Sequence, residues 1–399
     1  MNTVCDAIMP ITIRPETIFV SGQGSYLTDD QGNTFLDFVQ GWAVNTLGHC
    51  HPTLVKAIQE QARTLINPSP GFYNMPMIQL ATTLVEHSVF DHVFFTNSGA
   101  EANEGAIKLA RKWGSLYKKN AYKIITFENG FHGRTLATMS ASGKAGWETL
   151  FAPKVPGFIK VPFNNLEAVN NVIDEQTVAV MLEPIQGEAG VIPVAEKFIT
   201  GLRKLTQDKN VLLIFDEIQT GIGRTGKLFC YQHFNVEPDI MTLGKGLGGG
   251  VPLAALLAKK PFSCFQPGDQ GGTFNGNPLV TRAGNAVLNE ILQPGFLQNV
   301  ADKSLFLQQH LTALATKYNL GTVRGRGLLL ALDTKEIDAT QIVKRAFEQK
   351  LLINAPRNNS LRFMPALTVT ITEIEQMIAL LDTVLSNMIE NTTTRLQCN

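Results

Sequence analysis

Lys245 is the residue whose type and surroundings most directly suggest chemistry. It follows a short apolar run, residues 240–243, and stands in a cluster of glycines: Gly244, Gly246, Gly248, Gly249 and Gly250. A lysine amine becomes a nucleophile toward carbonyl groups when burial or a neighbouring cation lowers its pKa. We expect the glycines to clear space for a flat ligand, which makes Lys245 a candidate for covalent attachment of a carbonyl compound.

The same glycines allow a second interpretation. Gly244, Gly246 and Gly249 match GxGxxG, the fingerprint of dinucleotide-binding proteins. That fingerprint requires a helix that opens at the third glycine, whereas a Gly-Val-Pro segment intervenes here and a second apolar run follows. A nucleotide-binding oxidoreductase therefore stays as the less favoured alternative from a different class.

Asp216 ends the apolar run in NVLLIFDEI, residues 210–218. The carboxyl end of such a strand is where open α/β sheets bind ligands. A carboxylate on so apolar a strand is expected to be partly buried and to need a cationic partner. A solvated acid at the end of a strand is the alternative.

Ser98, Gly99 and Ala100 lie between a predicted strand (92–97) and a predicted helix (100–117). The first turn of a helix has free N–H groups, and small residues there let a phosphate approach the backbone. An ordinary helix cap without a ligand would also explain this sequence.

The loop ENGFHGRTLATMSA offers an aromatic ring and a planar cation, Phe131 and Arg134. Phe131 could stack on a ring, and Arg134 could bind a carboxylate through two parallel hydrogen bonds. A core phenylalanine and a surface arginine are the alternative. His132 between them is more typical of a structural residue than of a catalytic one.

Other polar residues follow predicted strands or lie in glycine-rich loops. They are Glu183 and Glu188 in LEPIQGEAGV, Arg362 in LRFMPAL, and Gly272 and Thr273 in GGTFNGNPL. Taken singly, each is also explained by surface charge or turn chemistry.

The predicted strands and helices that position these residues indicate an α/β protein. Continuous apolar runs alternate with helical segments from about residue 60 to about residue 285, which predicts a mostly parallel sheet covered by helices. We predict a large domain over 61–285 and a smaller α+β domain over 286–399. Residues 1–60 contain short strands that we expect to join the smaller domain.

The composition of the chain limits which classes of binding partner we expect. The 34 Lys and Arg residues balance 34 Asp and Glu residues, so nothing favours nucleic acid or an acidic membrane. No apolar run approaches a membrane span, and the first 16 residues lack the pattern of a signal peptide. Five cysteines without CxxC spacing fit the cytoplasm, and the adjacent residues of His49-Cys50-His51 converge poorly on a metal ion.

Together these features meet the needs of pyridoxal 5'-phosphate, whose protein partners are a lysine and an acid at the pyridine nitrogen. The chain resembles the class III aminotransferases of fold type I, in their acetylornithine/ornithine branch. The segments that carry the resemblance occur in this order: NSGAEANEGAIKLAR, FHGRT, EPIQGEAGV, FDEIQTGIGRTGKLF, LGKGLGGGVPLAA and TFNGNPL.

The resemblance implies roles around the cofactor ring. Lys245 would bind the cofactor aldehyde and then move the substrate proton. Asp216 would pair with the ring nitrogen, and Gln219 would contact the ring hydroxyl. Phe131 and Ile218 would pack on the two faces of the ring.

The resemblance also implies a homodimer with its active site at the subunit interface. Ser98, Gly99 and Ala100 would hold the phosphate of the cofactor. Thr273 would reach that phosphate from the other subunit, and Gly272 beside it would belong to the substrate site.

Two arginines would recognise the substrates. Arg134 would bind the carboxylate of the amino donor, and Arg362 the α-carboxylate of glutamate or 2-oxoglutarate. Glu188 would pair with Arg362 while the donor is bound. The implied reaction moves the δ-amino group of N2-acetyl-L-ornithine to 2-oxoglutarate, as in arginine biosynthesis, with ornithine, N-succinylornithine and 4-aminobutyrate as alternative donors.

Overall fold

The structure, a computed structural model, describes residues 7–397, with side chains through residue 388. Cys5, Cys398 and the first six residues of the segment examined for a signal peptide lie outside this range. Within residues 7–397, no helix is both long enough and apolar enough to span a bilayer.

Secondary structure follows the predicted alternation of strands and helices closely. The strands are β1 (Phe19–Gln23), β2 (Tyr26–Asp29), β3 (Thr34–Asp37), β4 (His92–Thr96), β5 (Lys123–Phe127), β6 (Phe158–Val161), β7 (Thr177–Leu182), β8 (Ile185–Gln186), β9 (Ile192–Pro193), β10 (Leu212–Asp216), β11 (Ile240–Leu243), β12 (Ala254–Ala258), β13 (Val323–Arg326), β14 (Leu329–Asp333), β15 (Leu351–Leu352), β16 (Asn354–Arg357) and β17 (Ser360–Phe363). The helices are α1 (Gln40–Ala43), α2 (Pro52–Thr64), α3 (Met75–Glu86), α4 (Gly99–Tyr117), α5 (Leu136–Ala141), α6 (Leu166–Val172), α7 (Glu196–Asp208), α8 (Pro278–Ile291), α9 (Phe296–Lys317), α10 (Ala339–Glu348) and α11 (Ile371–Gln397).

A seven-stranded sheet in the order β4-β12-β11-β10-β7-β5-β6 forms the centre of the molecule. Six strands are parallel, and β12 runs antiparallel to both of its neighbours. The prediction of a mostly parallel sheet is therefore confirmed. Because β12 is reversed, it follows β11 through a short connection without a crossover helix.

The sheet is apolar on both faces, which explains the continuous apolar runs in the sequence. Every residue of β7, β10, β11 and β12 is buried. Along β10, Leu213 and Phe215 belong to one apolar cluster, whereas Leu212 and Ile214 belong to another. This alternation fixes which side chains face which layer of helices.

Two smaller sheets flank the central one. Their strand orders are β1-β2-β3-β15 and β13-β14-β17-β16. In the first, β15 pairs in parallel with β3, so the N-terminal strands associate with a strand from the C-terminal part of the chain. The division into residues 1–60, 61–285 and 286–399 remains a prediction.

Candidate active site

Several strands of the central sheet end at one edge and deliver polar residues to it. Asp216 is the last residue of β10, Lys245 follows β11, and Glu183 follows β7. A cavity of about 280 Å³ opens at this edge. Its lining consists of Gly99, Ala100, Phe131, His132, Gly133, Arg134, Glu183, Glu188, Asp216, Ile218, Gln219 and Lys245.

Most of the residues singled out in the sequence line this cavity. Arg362 adjoins the lining, since it is bonded to Glu188. Ser98, Gly272 and Thr273 lie outside the cavity lining. Thr273 and Gly272 are exposed, and Ser98 is the N-cap of α4.

Lys245 begins a 3₁₀ turn, Lys245–Leu247, with a left-handed backbone (φ 41°). A hydrogen bond from Leu247 N to Gly244 O, 3.0 Å long, closes this turn. Burial of the amine lowers the pKa of Lys245, against the opposing charges of Asp216 and Glu188. A larger fraction of the amine is therefore neutral and nucleophilic than for an exposed lysine.

The glycines around Lys245 do not have the role that we expected. A side chain at Gly244 would meet Ile218, one at Gly246 would meet Thr46, and one at Gly248 would meet the Val251 carbonyl. These glycines let the chain pack against itself and do not clear room for a ligand. No helix opens at the third glycine of GxGxxG, because β12 follows, so the dinucleotide interpretation is wrong.

Asp216 is held by three donors. Its Oδ2 accepts hydrogen bonds from His132 Nδ1 and Asn103 Nδ2, each 2.8 Å long, and its Oδ1 accepts one from Ile218 N at 3.1 Å. The two shorter hydrogen bonds, from His132 and Asn103, reach the same oxygen, Oδ2. The carboxylate is therefore fixed in orientation, and Oδ1 is the less engaged atom.

Asn103 is a site residue that the sequence analysis missed. It is fully buried in α4, accepts a hydrogen bond from Thr242 Oγ1 at 2.7 Å, and donates to the His132 carbonyl at 2.7 Å. The signal was present, because Asn103 shares the apolar face of the helix with Ile107 and Ala110. A buried amide on such a face needs polar partners.

His132 has a closer relation to the site than we expected. Burial lowers the pKa of its ring, but the hydrogen bond and charge of Asp216 outweigh this and leave the pKa raised. The ring therefore holds its proton more tightly than a free imidazole does. This contact places a hydrogen-bond partner behind Asp216.

Glu183 is a second buried acid at the cavity. Burial raises the pKa of its carboxyl group to about 7. Its two oxygens accept hydrogen bonds from Phe131 N (2.8 Å) and Gly187 N (3.3 Å). Glu183 thus ties the loop that carries Phe131 to the loop that carries Glu188.

Arg362 and Glu188 form an ion pair 2.8 Å long beside the cavity. Arg362 is fully buried and also donates to Asn354 Oδ1 at 2.9 Å and to the Gly187 carbonyl at 3.0 Å. Burial raises the pKa of Glu188, but the charge and hydrogen bond of Arg362, with the charges of Lys245 and Lys144, together outweigh burial and lower the pKa overall. Glu188 therefore carries the charge that compensates Arg362.

Two groups of the cavity have hydrogen-bonding capacity that the described residues leave unused. Gln219 Oε1 is buried and has no hydrogen-bond partner within the described part of the chain. At the start of α4, the Ser98 hydroxyl accepts a hydrogen bond from Glu101 N (3.2 Å), which leaves the N–H groups of Gly99 and Ala100 without helical partners. The first suits a hydroxyl group and the second an anion.

The described residues do not form a metal-binding cluster. Among residues 7–397, no three His, Cys, Asp or Glu side chains are grouped so as to bind a metal ion. Cys50, Cys230 and Cys264 are free thiols.

Comparison with known proteins agrees with this geometry. The model of the family "Aminotransferase class-III" matches residues 12–385. Acetylornithine aminotransferase 2 of Bordetella pertussis is 58% identical over 384 residues, which cover 96% of this chain and 97% of that protein. Acetylornithine aminotransferase of Ralstonia nicotianae is 56% identical over 95% of this chain and 97% of its own length.

Solved structures give the same result. Ornithine aminotransferase of Toxoplasma gondii superposes with a TM-score of 0.92 at 31% identity, covering 97% of this chain and 93% of that one. N-acetylornithine aminotransferase of Stenotrophomonas maltophilia superposes with a TM-score of 0.82 at 35% identity, covering 94% and 97%. The chain belongs to the class III aminotransferases, an α/β family of fold type I.

Enzymes of this class depend on pyridoxal 5'-phosphate, and the residues of the cavity fit that cofactor. The cavity offers an amine of lowered pKa at Lys245 and a fixed carboxylate at Asp216. It also offers an unpartnered amide oxygen at Gln219 and free N–H groups at a helix start. These four groups match, in the same order, the aldehyde, the ring nitrogen, the ring hydroxyl and the phosphate of the cofactor.

Proposed function

We propose that this aminotransferase moves the δ-amino group of N2-acetyl-L-ornithine to 2-oxoglutarate. The products are N-acetyl-L-glutamate 5-semialdehyde and L-glutamate, a step of arginine biosynthesis. The single observation that carries the proposal is the ion pair beside the cavity between the fully buried Arg362 and the partly exposed Glu188. A carboxylate-binding cation that an internal acid neutralises suits an enzyme whose two substrates differ in whether they bring an α-carboxylate there.

The cofactor, when bound, supplies an electron sink that stabilises negative charge at the substrate carbon. Lys245 would hold it through Nζ, and Asp216 would hold a proton on its ring nitrogen. Gln219 would contact the ring hydroxyl, while Phe131 and Ile218 pack against the ring faces.

The chain's own residues would then transfer one proton and stabilise one charge. Lys245 Nζ would take the proton from the substrate carbon and return it one position away, and the lowered pKa of this buried amine favours that transfer. His132 and Asn103 hold Asp216 Oδ2, so the carboxylate keeps its orientation throughout. Preorganised donors of this kind cost no reorganisation during the reaction.

Two half-reactions use the same cavity with different arginines. In the donor half-reaction, Arg134 binds the donor's carboxylate while Glu188 stays on Arg362. In the return half-reaction, 2-oxoglutarate brings an α-carboxylate that replaces Glu188 on Arg362. The pair therefore needs to open only for the second substrate.

The choice of donor rests on two arguments. Relatives that are 56–58% identical over nearly the whole chain are named acetylornithine aminotransferases, whereas the ornithine aminotransferase of Toxoplasma gondii is 31% identical. An acylated α-amino group is neutral, so it adds no cation near Arg134. Ornithine, N-succinylornithine and 4-aminobutyrate remain the alternative donors.

A two-fold dimer completes the site in this proposal. Ser98, Gly99 and Ala100 hold the phosphate from one subunit, and Thr273 contacts it from the other, with Gly272 beside the substrate. Exposed aromatic side chains support a partner surface, since Phe274 next to Thr273 is 60% exposed and Phe72 is 67% exposed. We also propose that the enzyme acts in the cytoplasm, because its cysteines are unpaired where described.

The deciding experiment is a single-turnover measurement of cofactor absorbance with each donor separately. N-acetylornithine should react fastest, by about tenfold or more over ornithine, N-succinylornithine and 4-aminobutyrate, as an extra contact worth about 1.4 kcal/mol would give. A faster reaction with any of the other three would overturn the proposed donor and leave the cofactor assignment standing.

A further inference from the structure

Arg362 is held by two neutral acceptors and one acid. Its Nε donates a hydrogen bond to Asn354 Oδ1 at 2.9 Å, and its Nη1 donates to the Gly187 carbonyl at 3.0 Å. Within the described part of the chain, Glu188 is the only acid that forms an ion pair with Arg362, and 32% of the Glu188 side chain is exposed. The neutral partners therefore orient the guanidinium, whereas the charge that compensates it comes from a separate, partly exposed side chain.

The position of Asn354 follows from the register of the C-terminal hairpin. Asn354 begins β16, and in the antiparallel pairing with β17 it lies directly opposite Arg362. Residues that lie opposite each other in such a pair have their side chains on the same face of the sheet. Because a guanidinium is planar and rigid, a hydrogen bond at Nε also determines the direction in which Nη1 points. Asn354 is therefore placed to aim Nη1 of Arg362 at Glu188.

The neutrality of Asn354 matters as much as its position. In Asn354→Asp, a carboxylate of nearly the same shape would compensate Arg362 permanently. The α-carboxylate of glutamate would then meet a neutralised cation and bind it less tightly. The amide of Asn354 leaves the charge of Arg362 available to Glu188 or to a substrate.

We infer that Asn354 is a positioning residue for the glutamate half-reaction: it orients Arg362 without neutralising it, so that Glu188 and the α-carboxylate of glutamate can replace one another. The inference rests on the proposed function, in which Arg362 binds that α-carboxylate. Glutamate has a second carboxylate for Arg134, so an effect on Arg134 would be common to both half-reactions. An effect through Arg362 is specific to glutamate, because N-acetylornithine does not bind Arg362 in the proposed function.

One effect of Arg362 is shared by the two half-reactions. Burial lowers the pKa of Lys245, and the charge of Arg362 adds a smaller contribution in the same direction. A change in the charge around Arg362 therefore also alters the amine that serves both substrates. The ratio of the two rate constants cancels this common effect and is the quantity to compare.

The chain offers matched controls close to Asn354. Asn354→Ala removes the acceptor without adding a charge. Asn358→Asp adds the same charge as Asn354→Asp to the same hairpin, at an exposed position in the turn between β16 and β17. Arg362→Leu removes the cation itself.

The experiment uses two readouts on the cofactor-loaded wild type and variants. Stopped-flow absorbance gives the second-order rate constants for N-acetylornithine and for glutamate. Calorimetry gives the affinities for two unreactive ligands, glutarate with two carboxylates and N-acetyl-L-norvaline with one. Neither ligand has a free amine, so the second readout does not depend on turnover.

Asn354→Asp should lower the ratio of the glutamate to the N-acetylornithine rate constant by about tenfold or more. It should weaken the binding of glutarate relative to that of N-acetylnorvaline by a similar factor. Asn354→Ala should lower both ratios by about three- to tenfold, as the loss of one hydrogen bond gives. Asn358→Asp should keep both ratios within about twofold of the wild type.

The Glu188→Ala background gives a test by rescue. There Arg362 has no acid partner and competes with Arg134 for the carboxylate of the donor. Adding Asn354→Asp should restore the N-acetylornithine rate constant to within about threefold of the wild type, because the cation regains a counter-charge. Adding Asn354→Ala or Asn358→Asp should not restore it.

Unchanged ratios in Asn354→Asp would overturn the inference, as would an equal change in Asn358→Asp or the absence of rescue in the Glu188→Ala background. If Asn354→Asp does not fold, Asn354→Ala decides, and unchanged ratios in that variant overturn the inference.

Arg362→Leu and Glu188→Ala test the proposed function separately. If Arg362→Leu keeps the wild-type affinity for glutarate, or if Glu188→Ala has no donor defect, the proposed exchange at Arg362 fails and the role of Asn354 falls with it. If both behave as proposed and the Asn354 variants do not, the inference about Asn354 fails alone.

Discussion

Arg362 donates a hydrogen bond from Nη1 to Glu188 Oε1 across 2.8 Å, although 174 positions separate the two residues in the chain. The guanidinium is fully buried, so without Glu188 it would hold an uncompensated charge in the protein interior. Breaking a buried pair from one side is costly for that reason. In the proposed function, the pair therefore sets how readily Arg362 becomes available to a substrate.

Removal of Glu188 should affect the two half-reactions unequally. In Glu188→Ala, Arg362 has no internal partner and competes with Arg134 for the carboxylate of the donor. We expect the donor half-reaction to slow more than the glutamate half-reaction, by at least about tenfold in their ratio, as one lost pair worth roughly 1.4 kcal/mol gives. Single-turnover rate constants with both substrates check this, and a larger loss with glutamate would contradict the proposed exchange.

Lys245→Ala should abolish transamination, because one amine serves as covalent anchor and as proton carrier. The purified variant should also lack a yellow colour that borohydride bleaches. Lys209→Ala, which removes an exposed lysine, serves as the control and should keep both properties. Turnover near the wild-type level in Lys245→Ala would rule out the assigned role.

Asp216→Asn tests the charge at the ring nitrogen while preserving the hydrogen bonds to Oδ2. The amide oxygen can still accept from His132 and Asn103, which leaves an amide NH2 group in place of Oδ1 and removes the hydrogen bond from Ile218 N. We expect cofactor binding to persist and turnover to fall by about a hundredfold or more, as for the loss of one electrostatic stabiliser. Unchanged turnover in a folded variant would show that Asp216 does not stabilise charge at the ring nitrogen.

Mixed dimers test whether two chains build each site. The Lys245→Ala dimer should be inactive alone, and the Thr273→Ala dimer should be weakly active alone. In a mixed dimer, both lesions fall in one site and the other site is intact, so activity should recover in part. Differently tagged subunits isolate the mixed species, and absence of recovery after proven exchange would favour sites built within one chain.

The buried acid Glu217 predicts how stability depends on pH. It accepts hydrogen bonds from Cys230 N and Tyr231 N, yet burial dominates and raises the pKa of its carboxyl group to about 7. The folded state therefore binds a proton more tightly than the unfolded chain. The resulting stabilisation is complete below the unfolded pKa and disappears as the pH rises through about 7.

The size of this effect follows from the shift of the pKa. A rise from the ordinary value to about 7 corresponds to roughly 3 kcal/mol of stability lost as the pH rises through that window. Glu217→Gln should reduce this slope in a plot of melting temperature against pH, even if it lowers stability at every pH, while Glu183, whose pKa is also raised to about 7, keeps the remainder. Glu175→Gln, at an exposed site, should keep the wild-type slope. An identical slope in Glu217→Gln would contradict the raised pKa.

Much of this arrangement was predictable from the sequence, because short apolar runs and the residues that end them are local signals. Asp216 and Lys245 end or follow such runs, and the parallel sheet brings them to one edge. The connections between distant segments were not predictable. Neither the hydrogen bond of Asn103 to Asp216 nor that of Phe131 N to Glu183 has a local signature, since each depends on how separate segments pack.

The glycines around Lys245 show a different limit. A glycine in a sequence indicates that something approaches closely, but it does not say what. Here the approaching groups are Thr46, Ile218 and the Val251 carbonyl. We assigned that space to a ligand, whereas the structure assigns it to the protein.

The parallel pairing of β15 with β3 has a consequence for the order in which the enzyme is made. Leu36 pairs in register with Leu351, so an early strand finds its partner only when synthesis is nearly complete. All seven strands of the central sheet, ending with β12, leave the ribosome before β15 and β17 do. On a nascent chain, the edge that bears Asp216 and Lys245 therefore precedes the strand that bears Arg362. Arg362, whose proposed role is to bind the α-carboxylate of glutamate, is thus the last of the candidate site residues to be synthesised.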